Sequence, residues 1–186
     1  SRTSDVNIFG TDNTFKEINI RKGDHAGVSE GVLIEGTYKT GLHEQLYIEP
    51  QGMIAIPRED GGVTITGSMQ CPYYIVKGIT DLLGIDKSEI NVIQSTTGGG
   101  FGGKEEYPSM LAAHVALLSQ ASGKPVKIVY DRTEDLQSTT KRHPTTVTIR
   151  SRVSDTGRLL TWESDILVDG GAYNTLTPVV LSRAVL

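Results

Sequence analysis

Residues 98–105 read Gly-Gly-Gly-Phe-Gly-Gly-Lys-Glu, which places five glycines in six consecutive positions. Glycine loses more backbone freedom on folding than any other residue, at a cost of roughly 0.5–1 kcal/mol relative to alanine in a regular element. A chain carries that cost where the backbone needs a positive φ or must approach another group very closely. The segment is therefore expected to be a specialised loop around which the rest of the fold is arranged.

The residues on either side of this loop predict a strand before it and a helix after it. Residues 90–93, Ile-Asn-Val-Ile, are rich in β-branched side chains and predict the strand. Residues 107–118 carry apolar side chains at helical spacing, and this helix is expected to pack through Leu111, Val115 and Leu118 on the strands that follow it. A glycine loop between a strand and a helix start presents unpaired N–H groups and the positive end of a helix dipole, which suits an anionic or oxygen-rich ligand.

Residues 98–105 do not form the phosphate-binding loop known as the P-loop. Gly98, Gly103 and Lys104 satisfy the first part of the P-loop pattern, whose next residue must be Ser or Thr so that its hydroxyl can bind Mg²⁺. Glu105 stands there instead, and its carboxylate would repel the nucleotide phosphates.

Two other ligand classes remain at this point: a dinucleotide and a molybdopterin cofactor. Gly98, Gly100 and Gly103 fit the dinucleotide fingerprint G-x-G-x-x-G, which is weak alone. The acidic residue expected about twenty residues later is at best Asp131, which lies further along. A nucleotide-binding enzyme domain is therefore kept as an alternative, and so is a non-catalytic assembly module whose glycine loop makes a close packing contact.

The whole octapeptide resembles the cofactor loop of the xanthine dehydrogenase and aldehyde oxidase family of molybdenum hydroxylases. Further stretches are similar to the same family in the same order: 36–57, 124–126, 131–132, 142–144 and 169–173. The resemblance covers nearly the whole chain, but only the opening part of the family's molybdenum-binding region.

The resemblance implies an oxidoreductase with a molybdopterin-type molybdenum cofactor, which hydroxylates a purine-like heterocycle or an aldehyde with oxygen from water. Iron–sulfur clusters and FAD are expected in other domains or subunits, because the single cysteine, Cys71, cannot hold a cluster. The family's catalytic glutamate belongs to a downstream motif, so no catalytic residue is expected here. The chain begins at Ser1 without a start methionine, and residues 1–186 are predicted to be a fragment of the cofactor-binding domain that is inactive alone.

Four loop residues are the candidates for cofactor binding: Gly99, Gly100, Phe101 and Gly102. The resemblance implies that the N–H groups of Phe101 and Gly102 face an oxo ligand of the metal, with the Phe101 ring shielding one side. The plainer interpretation is a tight turn with a buried aromatic side chain, although a plain turn would more commonly be polar.

Further site candidates flank the loop or precede it. The resemblance implies that Glu105 binds a heterocyclic substrate, whereas the alternative is a carboxylate that favours the positive end of a helix. Family members commonly place a cofactor-contacting glutamine where this chain has His43, and Gln45 follows two residues later, so both are candidates. Glu49, held extended by the following Pro50, is predicted to accept backbone N–H bonds.

Composition limits which kinds of binding partner and which cellular compartment are expected. The net charge is −4, the pI is about 5.6, and the basic residues are scattered, so neither nucleic acid nor a membrane is expected as a partner. No apolar run is long enough to span a bilayer, and the cysteine content fits a reducing, cytoplasmic setting. His25 and His114 lack partners at metal-ligand spacing, so no protein-ligated metal is expected.

The pattern of elements predicts an α+β fold, a two-layer sandwich with mixed, largely antiparallel sheets and two main helices. The two helices are predicted at 72–83, ending at Gly84, and from 107 to about 122, ending at Gly123. Strands are predicted at 32–40, 51–56 and 63–66 as an antiparallel set, at 90–94, at 126–130 and as a hairpin of 145–153 with 159–169, with an edge strand at 15–20. The chain could divide into lobes 1–97 and 98–186.

Overall fold

The computed structural model describes residues 6–24 and 27–185 and contains seven strands and four helices in those ranges. The strands are β1 (Val32–Thr40), β2 (Gly52–Pro57), β3 (Val63–Gly67), β4 (Ile90–Gln94), β5 (Val126–Val129), β6 (Thr145–Val153) and β7 (Leu159–Val168). The helices are α1 (Pro72–Leu83), α2 (Pro108–Ser122), α3 (Arg132–Ser138) and α4 (Thr177–Ala184), with a 3-10 turn at Lys87–Glu89. The α+β class and the two main helices, α1 and α2, are confirmed.

The described residues form two compact units. One combines the residues up to His43 with those from His143 onwards, and the other is Glu44–Arg142. These bounds differ from the lobes 1–97 and 98–186, because strand pairing crosses that boundary in both units: β2 pairs with β5, and β1 pairs with β6.

The unit Glu44–Arg142 is a four-stranded sheet with two helices packed on it. The strand order is β4-β3-β2-β5, in which β2 is antiparallel to both neighbours and β3 is parallel to β4. α2 packs on β2 and β5, and α1 packs on α2 and β4. The fully buried side chains between the layers include Ala55 of β2, Ile65 of β3, Ile79 of α1 and Val115 of α2.

Proline and glycine set the ends of both main helices, as the sequence predicts. α1 and α2 begin with a proline, whose missing N–H would have no partner in the first turn of a helix. They end at Gly84 (φ +66°) and Gly123 (φ +63°), both in the left-handed conformation that terminates helices.

Two packing predictions for α2 need correction. Leu111 and Val115 are fully buried, but Leu118 is 53% exposed, since it lies off the face of α2 that contacts the sheet. α2 also packs on β2, which precedes it in the chain, and not only on strands that follow it.

The other unit contains an antiparallel sheet of order β1-β6-β7. The predicted hairpin of β6 and β7 is confirmed, and its turn is closed by hydrogen bonds between Ser154 and Arg158 and between Gly157 and Ser154. The predicted set of β1 with β2 and β3 is wrong, because β1 pairs with β6 along its whole length. Residues 15–20 alternate in polarity, yet the structure shows no strand there.

Two short helices, α3 and α4, were not predicted from the sequence. The side chain of Asp131 caps α3 by accepting a hydrogen bond from the N–H of Glu134 at 2.8 Å. None of the helices within residues 6–24 and 27–185 combines the length and the apolar character needed to cross a membrane.

Candidate cofactor-binding loop

The glycine loop keeps an exposed side. Gly98 is exposed and Phe101 is 77% exposed, whereas Gly100 and Gly103 are buried. Phe101 adopts a φ of +52°, a left-handed conformation that is uncommon for a bulky residue. A buried aromatic in a tight turn is therefore not what the structure contains, and the loop can meet another molecule.

One carboxylate oxygen holds both ends of this loop. Oε2 of Glu49 accepts hydrogen bonds from the N–H of Gly98 at 2.7 Å and from Nζ of Lys104 at 2.9 Å. The Glu49 N–H also donates to the carbonyl of Gly98 at 3.2 Å. The prediction that Glu49 accepts a backbone N–H bond is confirmed.

Lys104 is completely buried, and its ammonium group lies among protein partners. Nζ lies 2.9 Å from Glu49 Oε2, 2.9 Å from Ser68 Oγ and 4.7 Å from the centre of the Tyr47 ring. Ser68 in turn donates to Glu49 Oε2 at 2.7 Å. This lysine belongs to an internal ion pair and is not presented to a ligand.

The same contacts act on the acidity of Glu49. Partial burial would raise the pKa of this carboxyl, but the Gly98 N–H, the Lys104 ammonium and the Ser68 hydroxyl together outweigh it and lower the pKa. Glu49 is therefore an anion at neutral pH, and the positive charge of Lys104 balances it.

Gln70 fastens the second half of the loop and was missed by the sequence analysis. Its Oε1 accepts the N–H groups of Gly102 at 3.0 Å and Lys104 at 3.1 Å, and its own backbone N–H donates to the Lys104 carbonyl at 2.7 Å. β3 and β4 are parallel neighbours, with Gly67 opposite Gln94. Residues that follow β3 therefore lie beside the loop that follows β4, and this rule could have drawn attention to Gln70.

Three consecutive loop amides have no hydrogen-bond acceptor inside the part of the protein that the structure describes. Among the described residues, the N–H groups of Gly99, Gly100 and Phe101 have no protein acceptor, whereas the N–H of Gly102 is used by Gln70. Successive backbone N–H groups of this kind form concave sites for anions and oxygen atoms. The predicted contact of Gly102 thus has a competing partner inside the protein.

Three loop glycines lie so close to neighbouring side chains that a Cβ atom would not fit unless those side chains shifted. A Cβ on Gly100 would lie 2.4 Å from Gln70 Oε1, and one on Gly103 would lie 2.5 Å from a ring carbon of Tyr47. A Cβ on Gly99, whose φ is +95°, would lie 3.2 Å from the Tyr47 Cβ. Side chains at these positions would push the loop away from its supports.

A second buried hydrogen-bond network contacts the loop at Gly103. The Tyr47 hydroxyl donates to Asp135 Oδ1 at 2.8 Å, and the Gln51 N–H donates to Asp135 Oδ2 at 2.7 Å. Gln51 Nε2 then donates to the Gly103 carbonyl at 2.9 Å. Burial, followed by the hydrogen bond to Asp135, raises the pKa of Tyr47 to about 12, so its hydroxyl stays protonated.

The remaining predicted site residues are more scattered. His43 is exposed and lies in the other unit, where its Nδ1 is 3.2 Å from the Gly41 carbonyl. Gln45 makes no hydrogen bond to the loop among the described residues, and its Oε1 is buried without a partner. Glu105 follows Lys104 directly and is partly exposed, but α2 begins only at Pro108, so Glu105 is not in the first turn of that helix.

No group of three or more His, Cys, Asp or Glu side chains in the part of the chain that the structure describes is arranged to hold a metal ion. His25 lies outside the described residues. The donor set of the loop, which is made of amides, suits a cofactor that brings its own oxygen ligands more than a bare cation.

Comparison with known proteins identifies the family. Residues 8–186 match the family model described as the molybdopterin cofactor-binding domain. The chain belongs to this family. It is 37% identical over 153 residues to a probable xanthine dehydrogenase subunit of Bacillus subtilis, covering 82% of this chain and 20% of that protein. It is 35% identical to the nicotinate dehydrogenase large molybdopterin subunit of Eubacterium barkeri, covering 82% of this chain and 36% of that protein.

Solved structures agree with this assignment. The aldehyde oxidoreductase of Desulfovibrio desulfuricans superposes with a TM-score of 0.74 at 28% identity, over 82% of this chain and 17% of that chain. Quinoline 2-oxidoreductase from Pseudomonas putida superposes with a TM-score of 0.70 at 25% identity, over 80% and 19% respectively. The family resemblance read from the sequence is confirmed, and the chain spans from about a sixth to about a third of the length of the relatives named here.

Proposed function

We propose that this chain is part of the molybdenum-cofactor-binding subunit of a hydroxylase, which oxidises a purine-like heterocycle or an aldehyde with oxygen derived from water. One observation carries the proposal: Gly99, Gly100 and Phe101 present three adjacent N–H groups without protein acceptors among the described residues, on a loop that is fixed at both ends. Family membership supports the identity of the ligand as a molybdopterin-type cofactor.

The residues fit such a group. The three amides would bind an oxygen atom of the cofactor, and the donors would already be oriented because the loop is held by Glu49 and Gln70. The exposed ring of Phe101 would cover one side and exclude water. The side-chain amide nitrogen of Gln70 adds a donor beside the loop, and the cofactor itself supplies the redox chemistry when bound.

Other roles remain part of the proposal. Glu105 would bind the substrate, and Gly102, His43 and Gln45 are proposed cofactor contacts with less structural support than the three amides. Iron–sulfur and flavin components would accept the electrons from elsewhere in the enzyme, and the remaining molybdenum-binding region would supply the catalytic base. On this proposal the 186 residues alone are inactive, and the enzyme is cytoplasmic.

The test compares alanine substitutions at two glycines with positive φ, one inside the loop and one outside it. Gly99→Ala places a side chain at a φ of +95° against Tyr47, inside the loop. Gly123→Ala does so at +63°, where no atom lies within 4 Å of the new Cβ. Both variants are made in the protein expressed from its complete reading frame, in a host that synthesises the molybdenum cofactor.

Molybdenum per protein and the fluorescence of the oxidised, released pterin are measured for each variant. The proposal expects Gly99→Ala to lose most of both signals and Gly123→Ala to keep them, although each substitution destabilises the fold by roughly 1 kcal/mol. A wild-type protein without pterin, or equal losses in the two variants, would refute the proposed role of the loop.

A further inference from the structure

Glu49 and Lys104 meet at the two ends of the glycine loop. Residues 98 and 104 bracket the available amides, and both contact the same oxygen, Oε2 of Glu49, at 2.7 and 2.9 Å. The sequence separation between Glu49 and the loop is 49 residues at one contact and 55 at the other. A single carboxylate oxygen thus connects the first residue of the loop with Lys104 at its end.

The charges of this pair must balance, because Lys104 is fully buried. A buried ammonium group without an anion carries a large desolvation penalty. If the ammonium were absent, the Glu49 carboxylate would stand uncompensated next to Gly98, on the loop that is meant to receive an oxygen-rich ligand. The arrangement therefore has two effects: it fixes both ends of the loop, and it neutralises the negative charge of Glu49 beside Gly98.

We infer that Glu49 and Lys104 are positioning residues that form a charge-neutral clamp, which orients the Gly99, Gly100 and Phe101 amides for their ligand. The role we assign to both side chains is to hold the loop, and not to contact the ligand. Ser68 completes the clamp, since its hydroxyl accepts from Lys104 Nζ and donates to Glu49 Oε2. The identity of the ligand rests on the proposed function, but the clamp itself does not.

The experiment is a double-mutant cycle in the protein expressed from its complete reading frame, with Glu49→Gln, Lys104→Met and the double variant. Lys77 and Asp81 form an exposed ion pair on α1, and the pair of substitutions Lys77→Met and Asp81→Asn is the matched control. Hydrogen exchange of peptides covering residues 98–104 is measured on cofactor-free protein, so that it reports on the loop and not on the loss of cofactor. Molybdenum content and the rate of pterin release report on the ligand.

The clamp predicts that Glu49→Gln accelerates exchange at 98–104 and pterin release by about tenfold or more, because it leaves the fully buried Lys104 ammonium without its counter-charge. Lys104→Met should accelerate both less, because the Glu49 carboxylate that it leaves unpaired is partly exposed to water. The double variant should recover part of both losses, since it restores neutrality. The control pair should change neither. A side chain that only fills space would show no such recovery, and the double variant would then be worse than either single one.

Unchanged exchange at 98–104 in both single variants would overturn the clamp, as would a double variant whose loss equals the sum of the single losses. If Glu49→Gln does not fold, the milder Lys104→Met and Ser68→Ala decide, and both are expected to accelerate exchange at 98–104. A wild-type protein that lacks molybdenum would refute the proposed function, while the exchange data would still decide the clamp.

Discussion

The ammonium group of Lys104 lies 2.9 Å from the carboxylate of Glu49, yet the lysine side chain is fully buried while the glutamate side chain is 40% exposed. The cation therefore depends on this one anion, whereas the anion also has access to water. Protonation of Glu49 would leave the cation without its counter-charge and would weaken the hydrogen bond from the Gly98 N–H.

The first prediction concerns acid stability. The pKa of Glu49 is lowered in the folded protein from its ordinary value of 4.5. A lowered pKa gives stability that is present above the ordinary value and is lost as the pH falls through the folded value. Glu49→Gln should therefore be less stable than wild type at pH 7, and the difference should shrink below about pH 5.

Urea unfolding monitored between pH 3 and pH 7 measures this difference, with the two curves expected to converge at the acidic end. Glu59, an exposed glutamate in the turn between β2 and β3, offers the control substitution Glu59→Gln. Parallel curves for wild type and Glu49→Gln would show that Glu49 titrates alike in the folded and unfolded chains.

The second prediction concerns Tyr47, whose hydroxyl donates to the buried Asp135. Because its pKa is raised to about 12, the folded protein disfavours the phenolate, and stability should fall as the pH rises from about 10 towards 12. Tyr47→Phe should lose about 1–3 kcal/mol at neutral pH, since it leaves a carboxylate oxygen of Asp135 unpaired. It should also lose less stability than wild type on going to alkaline pH.

Denaturant unfolding at pH 7 and at pH 11 measures the stability lost at neutral pH and the further loss at alkaline pH. Tyr38→Phe is the control, because Tyr38 is 61% exposed. A Tyr47→Phe variant with wild-type stability at neutral pH would contradict the importance of this hydrogen bond.

Local patterns predicted most of the fold, whereas the supports of the loop depended on tertiary contacts. Gly84 and Gly123 indicated the ends of α1 and α2 because left-handed termini are a local property. Gln70 and Asp135 could not be placed in this way, since each meets its partners across more than thirty residues. The family motif indicated the loop itself, but not which of its amides stay available.

The third prediction compares a buried with an exposed leucine of α2. The sequence analysis wrongly expected both to be buried. Leu111 is fully buried and Leu118 is 53% exposed, although helical spacing placed both in the core. Leu111→Ala should cost about 2–5 kcal/mol, because it leaves a cavity against the sheet. Leu118→Ala should cost less than about 1 kcal/mol, and thermal unfolding of the two variants compares them directly.

The reason for the error is the composition of α2. Its apolar residues extend around much of the helix, so periodicity alone does not select the buried face. The sheet makes that selection, because α2 lies over β2 and β5. Equal costs for the two substitutions would mean that Leu118 is also covered in the assembled protein.

The fourth prediction is that removing the Phe101 side chain raises the stability of the protein but lowers its cofactor content. This residue combines a φ of +52° with 77% exposure, so the fold gains little from its ring and bears the strain of its backbone. Such a residue in a glycine loop indicates a functional demand. Phe101→Gly should stabilise the cofactor-free protein by about 0.5–1 kcal/mol, because the relief of strain is partly offset by the greater backbone freedom that glycine loses on folding. It should also lower the molybdenum retained after purification.

Leu46 supplies the matched control, with a φ of +49° and 60% exposure outside the loop. Leu46→Gly should relieve comparable strain without a loss of molybdenum, because the Leu46 N–H donates to Glu44 and not to the loop. Chemical unfolding and metal analysis of both variants separate the two effects. If Phe101→Gly retained molybdenum as well as wild type, the exposed ring would have no part in holding the cofactor, and its strained conformation would need another cause.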